Sequence, residues 1–173
     1  SVDEAIDRIL MHCNKINVLI NNAGISLEKY IVDFTEGDFD NLMNTNLKGS
    51  WLVACSVAKN MIKNDCGGKI LNISSVLASN VLPMLSLYSI SKSALIQMTK
   101  SMALEWARYN IQVNALSPGY IKTDINKDFF ETSAGKFKIT KLLRKRIGIP
   151  QDLHSALSMF ISEDSNFITG SEL

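Results

Sequence analysis

Histidine is almost missing from this chain: His12 and His154 are the only two in 173 residues, far apart and without clustered carboxylates or cysteines. That leaves no metal site to expect. Cysteine is scarce as well. Cys13, Cys55 and Cys66 are odd in number and lack the paired spacing of a zinc site or a disulfide framework, so a reduced, cytoplasmic chain is expected. No apolar run is long enough to span a bilayer, and the polar start Ser1-Val2-Asp3-Glu4 has no basic, apolar leader, so no membrane partner is expected. The net charge of +1 gives no electrostatic reason to expect nucleic acid.

The composition, 46% hydrophobic and 20% charged, is that of a globular domain with a sizeable core, and residues 1–173 read as a single domain. One stretch departs from the balanced charge. Lys136, Lys138, Lys141, Arg144, Lys145 and Arg146 form a basic run that suits either a phosphorylated or acidic partner or a solvated helix face.

Three short segments rich in Ile, Val and Leu read as buried strands of a parallel sheet: 17–20, 69–73 and 111–116. Helical periodicity fills the gaps. A first helix is expected over 2–13, a second over 38–63 with Gly49 loosening its middle, and a third over 86–108, capped by Ser86. Strand, helix, strand, helix, strand is the order of an open α/β fold with crossover connections. Ligands of such sheets lie beyond the carboxyl ends of the strands. Small and amide-bearing residues follow each run: Asn21-Asn22-Ala23-Gly24, Ser74-Ser75 and Ser117-Pro118-Gly119-Tyr120.

Tyr88 and Lys92 stand four residues apart near the start of the third helix, about one turn, so their heads share a face. Ser75 lies thirteen residues before the tyrosine. A free phenol has a pKa of about 10, and a nearby ammonium favours the phenolate, which would bring Tyr88 toward acid–base work near neutral pH. Ser75 would offer a hydroxyl to a reacting oxygen.

Five blocks in order, Asn21-Asn22-Ala23-Gly24, Asn46 in Asn44-Thr45-Asn46-Leu47, Ser75 in Asn72-Ile73-Ser74-Ser75, the Tyr88/Lys92 pair, and Ser117-Pro118-Gly119, make the chain resemble the short-chain dehydrogenase/reductase family. The likeness covers nearly the whole chain and is closest to the single-domain branch that includes 3-oxoacyl-carrier-protein reductases. It implies a Rossmann-like, doubly wound parallel sheet and hydride transfer between NAD or NADP and a ketone or secondary alcohol, first among them a 3-oxoacyl thioester. By resemblance Tyr88 is the general acid/base, Lys92 lowers its pKa and binds the nicotinamide ribose, Ser75 polarises the substrate oxygen, and Asn46 holds a water that relays protons to Lys92. The resemblance also places cofactor contacts on Asn22, Ala23, Gly24, Pro118, Gly119, Ile121 and Thr123, beside Tyr88 and Lys92. It implies homotetramers built through the helices 38–63 and 86–108.

One family feature is missing. No two of the nine glycines are separated by a single residue, so the glycine-rich phosphate-binding turn does not occur here. The chain is therefore expected to be partial, lacking the first three strands and the last, with roughly 60 to 75 further N-terminal residues in the complete protein. The segment 122–146, with Phe129, Phe130 and Phe137, reads as a lid over the site. Two other readings remain open: a non-catalytic or inactive member that keeps the fold for assembly or regulation, and a sugar-nucleotide epimerase, of whose substrate domain there is no trace.

Overall fold

A computed structural model describes residues 1–124 and 126–173; residue 125, within the expected lid, lies outside the described residues. The chain opens with α1 (Val2–Leu10), followed by β1 (Val18–Asn21), α2 (Glu36–Met43), α3 (Ser50–Lys63), β2 (Gly68–Ile73), α4 (Ser86–Trp106) and β3 (Ile111–Leu116). Then come α5 (Lys127–Glu131), α6 (Ser133–Lys141) and α7 (His154–Ile161).

The strands form one parallel sheet in the order β1-β2-β3, with Asn21 beside Asn72 and Ile73 beside Leu116. Each is reached from the last through helix, because a parallel pair cannot be joined by a tight turn. Alternate side chains of the sheet serve two cores. Ile70, Ile111 and Val113 face α1, α3 and α4 through Ile6, Val57, Met61 and Met102, whereas Leu71 and Leu116 face Phe160 of α7. Every residue of β3 is buried, including Gln112 and Asn114, whose amides donate to Asn110 Oδ1 at 3.0 Å and Ile168 O at 2.8 Å. Val18 and Ile20 of β1, with no strand on their outer side, are partly open to solvent.

The end of the chain contributes to the sheet. Gly170, Ser171 and Leu173 exchange backbone hydrogen bonds of 2.8 to 3.2 Å with Val113 and Ala115, and Glu172 bridges Ala115 in the parallel sense. A fourth strand position is thus begun beside β3.

The expected helix over 38–63 is two helices joined by a π-helical segment, Asn44–Gly49. Such a segment inserts an extra residue per turn and often lies at a functional site. It turns the Asn46 side chain fully inward. Ser86 does not cap α4: Leu85 holds the cap position without a side-chain bond, and Ser86 is the first helical residue. α4 ends at Trp106 and is continued by a single 3-10 turn, Ala107–Tyr109.

A buried polar ladder crosses the sheet. The Asn21 amide donates to Asn72 Oδ1 at 2.9 Å and to the Ser50 carbonyl at 3.2 Å, and Asn72 Nδ2 donates to Thr99 Oγ1 at 2.9 Å. These bonds fix α3 and α4 on β1 and β2. Replacing Asn72 with Ala removes one buried hydrogen bond from Asn21 and one from Thr99 and is expected to cost about 2 kcal/mol, read as a lowered urea midpoint. An unchanged midpoint would show that the ladder carries no stability.

Candidate active site

The carboxyl ends of β1, β2 and β3 open onto one region, and three loops meet there. The loop after β2 is tied to that after β3: Ser74 N–H donates to Leu116 O at 2.7 Å and Val76 N–H to Pro118 O at 3.1 Å. It is also tied to α4, where Ser74 Oγ donates to Lys92 O at 3.1 Å. Ser75 is buried, and its Oγ accepts from Leu77 N–H at 3.1 Å, which caps a 3-10 turn over Val76–Ala78. The Ser75 hydroxyl also stands beside the Tyr88 phenol.

Tyr88 and Lys92 lie on α4 as their spacing predicts, and the Lys92 ammonium stands 5.7 Å from the centroid of the Tyr88 ring. Its donor goes to Ile73 O at 2.8 Å, at the end of β2. Lys92 is 4% exposed. Burial pushes its amine down to about 8, because a charged group loses solvation there. Burial likewise pushes the Tyr88 phenol up, and the Ser75 hydroxyl beside it pulls the other way. Desolvation thus acts on the phenol in the direction opposite to the lowering expected from the ammonium, whose hydrogen bond goes to a backbone carbonyl.

The Asn46 side chain is held on both sides. Its Oδ1 accepts from Ile25 N–H at 2.8 Å, and its Nδ2 donates to Ile25 O at 2.9 Å and Ser91 Oγ at 3.0 Å. The main-chain carbonyl of Asn46 accepts from Ser50 Oγ at 3.2 Å. One side chain thus holds the loop after β1 against α4. Ser91, which was not anticipated, completes this brace by donating to Tyr88 O at 2.7 Å. The available sequence signal was a serine directly before Lys92 on an otherwise packed helix.

The expected cofactor residues divide between two loops. Asn22 and Ala23 are exposed after β1, and Gly24 sits where a Cβ would lie in van der Waals contact with Asn46 Oδ1 at 3.4 Å and Lys92 Nζ at 3.5 Å. Pro118, Gly119, Ile121 and Thr123 follow β3, and a Cβ at Gly119 would meet nothing within 4 Å. Ile121 bridges Gly148, and Thr123 N–H donates to Asn126 Oδ1 at 3.0 Å. Open space, small residues and a buried amine at the strand ends fit a flat ring and its ribose. Among the described residues no group of three His, Cys, Asp or Glu is placed to hold a metal ion, and no helix is long and apolar enough to cross a membrane.

A family model described as enoyl-(acyl carrier protein) reductase matches residues 1–173. The chain is 33% identical over 166 residues to a 2-dehydro-3-deoxy-D-gluconate 5-dehydrogenase of Dickeya dadantii, covering 95% of this chain and 66% of that protein. It is 34% identical over 169 residues to the 3-oxoacyl-[acyl-carrier-protein] reductase FabG of Thermotoga maritima, covering 98% and 68%. A crystal structure of a gluconate 5-dehydrogenase from Burkholderia cenocepacia, in complex with NADP and tartrate, superposes with a TM-score of 0.94 at 35% identity over 99% of this chain and 68% of that one. The chain thus spans about two thirds of the length of these relatives.

The buried amine gives a direct expectation. Lys92 should titrate near pH 8, against 10.5 for an ordinary lysine. Between these values the unfolded chain keeps a proton that the folded chain has released, so this site's contribution to stability rises with pH across the window. Isotope-edited NMR of the lysine side chains checks it, and a midpoint near 10.5 would show that the amine is solvated.

Proposed function

The chain belongs to the short-chain dehydrogenase/reductase family, and on that premise we propose that it is an NAD(P)-dependent oxidoreductase acting between a carbonyl and a secondary alcohol. The observation that carries this reading is the burial of Ser75 and Lys92 around the Tyr88 ring at the end of β2. A scaffold has no physical need to desolvate an ammonium beside a phenol. Asn22, Ala23, Gly24, Pro118, Gly119, Ile121 and Thr123, with Tyr88 and Lys92, would hold NAD or NADP, which supplies the hydride when bound.

The roles of the protein groups follow from their bonds. In reduction, the Tyr88 Oη–H donates to the substrate oxygen as negative charge grows there, and the proton passes to it. Ser75, whose oxygen accepts from Leu77 N–H and whose hydroxyl lies beside the Tyr88 phenol, donates its proton to the same substrate oxygen. Lys92 then holds its positive charge near the phenolate that Tyr88 leaves. In oxidation the phenolate takes the proton back. Asn46 and Ser91 hold the loop after β1 and the turn of α4 carrying Tyr88 in register.

The substrate we rank first is a 3-oxoacyl thioester. Its support is the likeness to the Thermotoga maritima reductase and the aromatic cluster beside the site, in which Tyr120 meets the edge of Phe130 at 5.6 Å. Assembly as a homo-oligomer through α3 and α4 is supported by a groove of about 400 Å³ between them, lined by Trp51, Cys55, Met98, Met102 and Trp106. Location in the cytoplasm is supported by three cysteines that are all free thiols.

The test is carbonyl reduction by the protein expressed from its complete coding sequence, followed by loss of NADH or NADPH absorbance. Tyr88→Phe should lower kcat by about 100- to 10,000-fold, the span of one general acid, with little change in KM. A variant as fast as its parent would refute the assignment.

A further inference from the structure

The segment from Ser133 to Arg146 holds six of the 18 lysines and arginines and no carboxylate. Because the whole chain is only +1, everything outside this segment is net −5. Among the described residues, the nearby cations Lys122, Lys127 and Arg146 are each paired with an acid: Glu131 at 3.2 Å, Asp124 at 2.9 Å and Asp152 at 2.6 Å. Lys136, Lys138, Lys141, Arg144 and Lys145 make no such pair. The neighbourhood has neutralised its other charges and left this strip positive.

The strip adjoins the site. Ile121 and Gly148 close the longer loop that contains the strip, through Lys122 N–H to Gly148 O and Gly148 N–H to Tyr120 O, both at 2.8 Å. Lys138 lies with its amine 5.0 Å from the ring of Tyr120, the residue that follows Gly119. Phe137 and Leu143 stand exposed between the cations. A neutral keto sugar or simple ketone has no use for such a surface.

Resting on the oxidoreductase reading above, we propose that Lys136, Lys141, Arg144 and Lys145 bind the phosphates of a nucleotide-type handle, as in a coenzyme A thioester, while its acyl carbonyl reaches Tyr88. The scale favours a small handle. α6 has 9 residues and is about 13 Å long, room for a nucleotide diphosphate with its base on Phe137 rather than for the footprint of a stable protein partner.

Two measurements test it. The chain is titrated calorimetrically with coenzyme A alone, and so are a Lys136→Gln/Lys141→Gln/Lys145→Gln variant and the same three positions changed to Arg. Binding should weaken about tenfold in the Gln variant, be restored in the Arg variant, and fall with added salt. Equal binding in all three, or no binding at all, overturns the proposal. So does one-for-one displacement by NADP, since the strip would then serve the cofactor, and so does binding of an acidic carrier protein without binding of coenzyme A.

The second measurement compares reduction of 3-oxobutanoyl-coenzyme A with that of the same acyl group on N-acetylcysteamine, which has no phosphate. The parent should favour the coenzyme A ester through KM by about tenfold, and the Gln variant should lose that preference. Equal use by the parent refutes the handle site alone. If neither ester is reduced, the oxidoreductase reading of the substrate fails, and the calorimetric titration still decides the handle.

Discussion

Asn46 lies fully buried with its amide bonded to Ile25 on one side and Ser91 on the other, so a single side chain joins the π turn, the loop after β1 and α4. Those three elements come from separate parts of the chain, and none is placed by its own propensity. Without this brace the loop carrying Gly24 has no fixed distance to Lys92. The brace in turn depends on the sheet beneath it: the Asn21–Asn72–Thr99 ladder sets α3 and α4 on β1 and β2, and Ser50, bonded to both Asn21 and Asn46, connects ladder and brace. Each of these amides is desolvated and satisfied, the condition under which a buried polar network specifies one arrangement.

The same burial sets the chemistry. Desolvation moves the Lys92 amine down to about 8 and the Tyr88 phenol up, both toward the neutral form. A phenol held neutral is a proton donor at physiological pH, and an amine near 8 still carries most of its charge there. A neutral phenol of this kind is set to donate a proton, and the Lys92 ammonium stands 5.7 Å from its ring.

Much of this was legible in the sequence for a definite reason. Ile111, Val113, Ala115 and Leu116 give β3 its strand reading, while the burial of Gln112 and Asn114 between them could not be read from their polar side chains. Tyr88 and Lys92 share a local helical turn, and local spacing survives folding. The π segment was not legible, since Leu42, Leu47 and Trp51 keep a helical rhythm across it and only Gly49 marks the irregularity. Nor was the brace, whose partners lie 21 and 45 residues from Asn46. Spacing reports the proximity of Tyr88 and Lys92 and says nothing of the desolvation that pushes the phenol up. The basic run was plain as a run; that Lys138 rests on Tyr120 beside the site depends on the pinning of Ile121 to Gly148.

The central claim is that Tyr88 gives the proton that ends on the substrate oxygen. The solvent deuterium isotope effect on carbonyl reduction tests it most directly, measured on the parent and on the residual activity of Tyr88→Phe at saturating cofactor. A normal effect in the parent that disappears in the variant is the predicted result. An effect of the same size in both would mean that the proton comes from elsewhere, and the account of this site would be wrong.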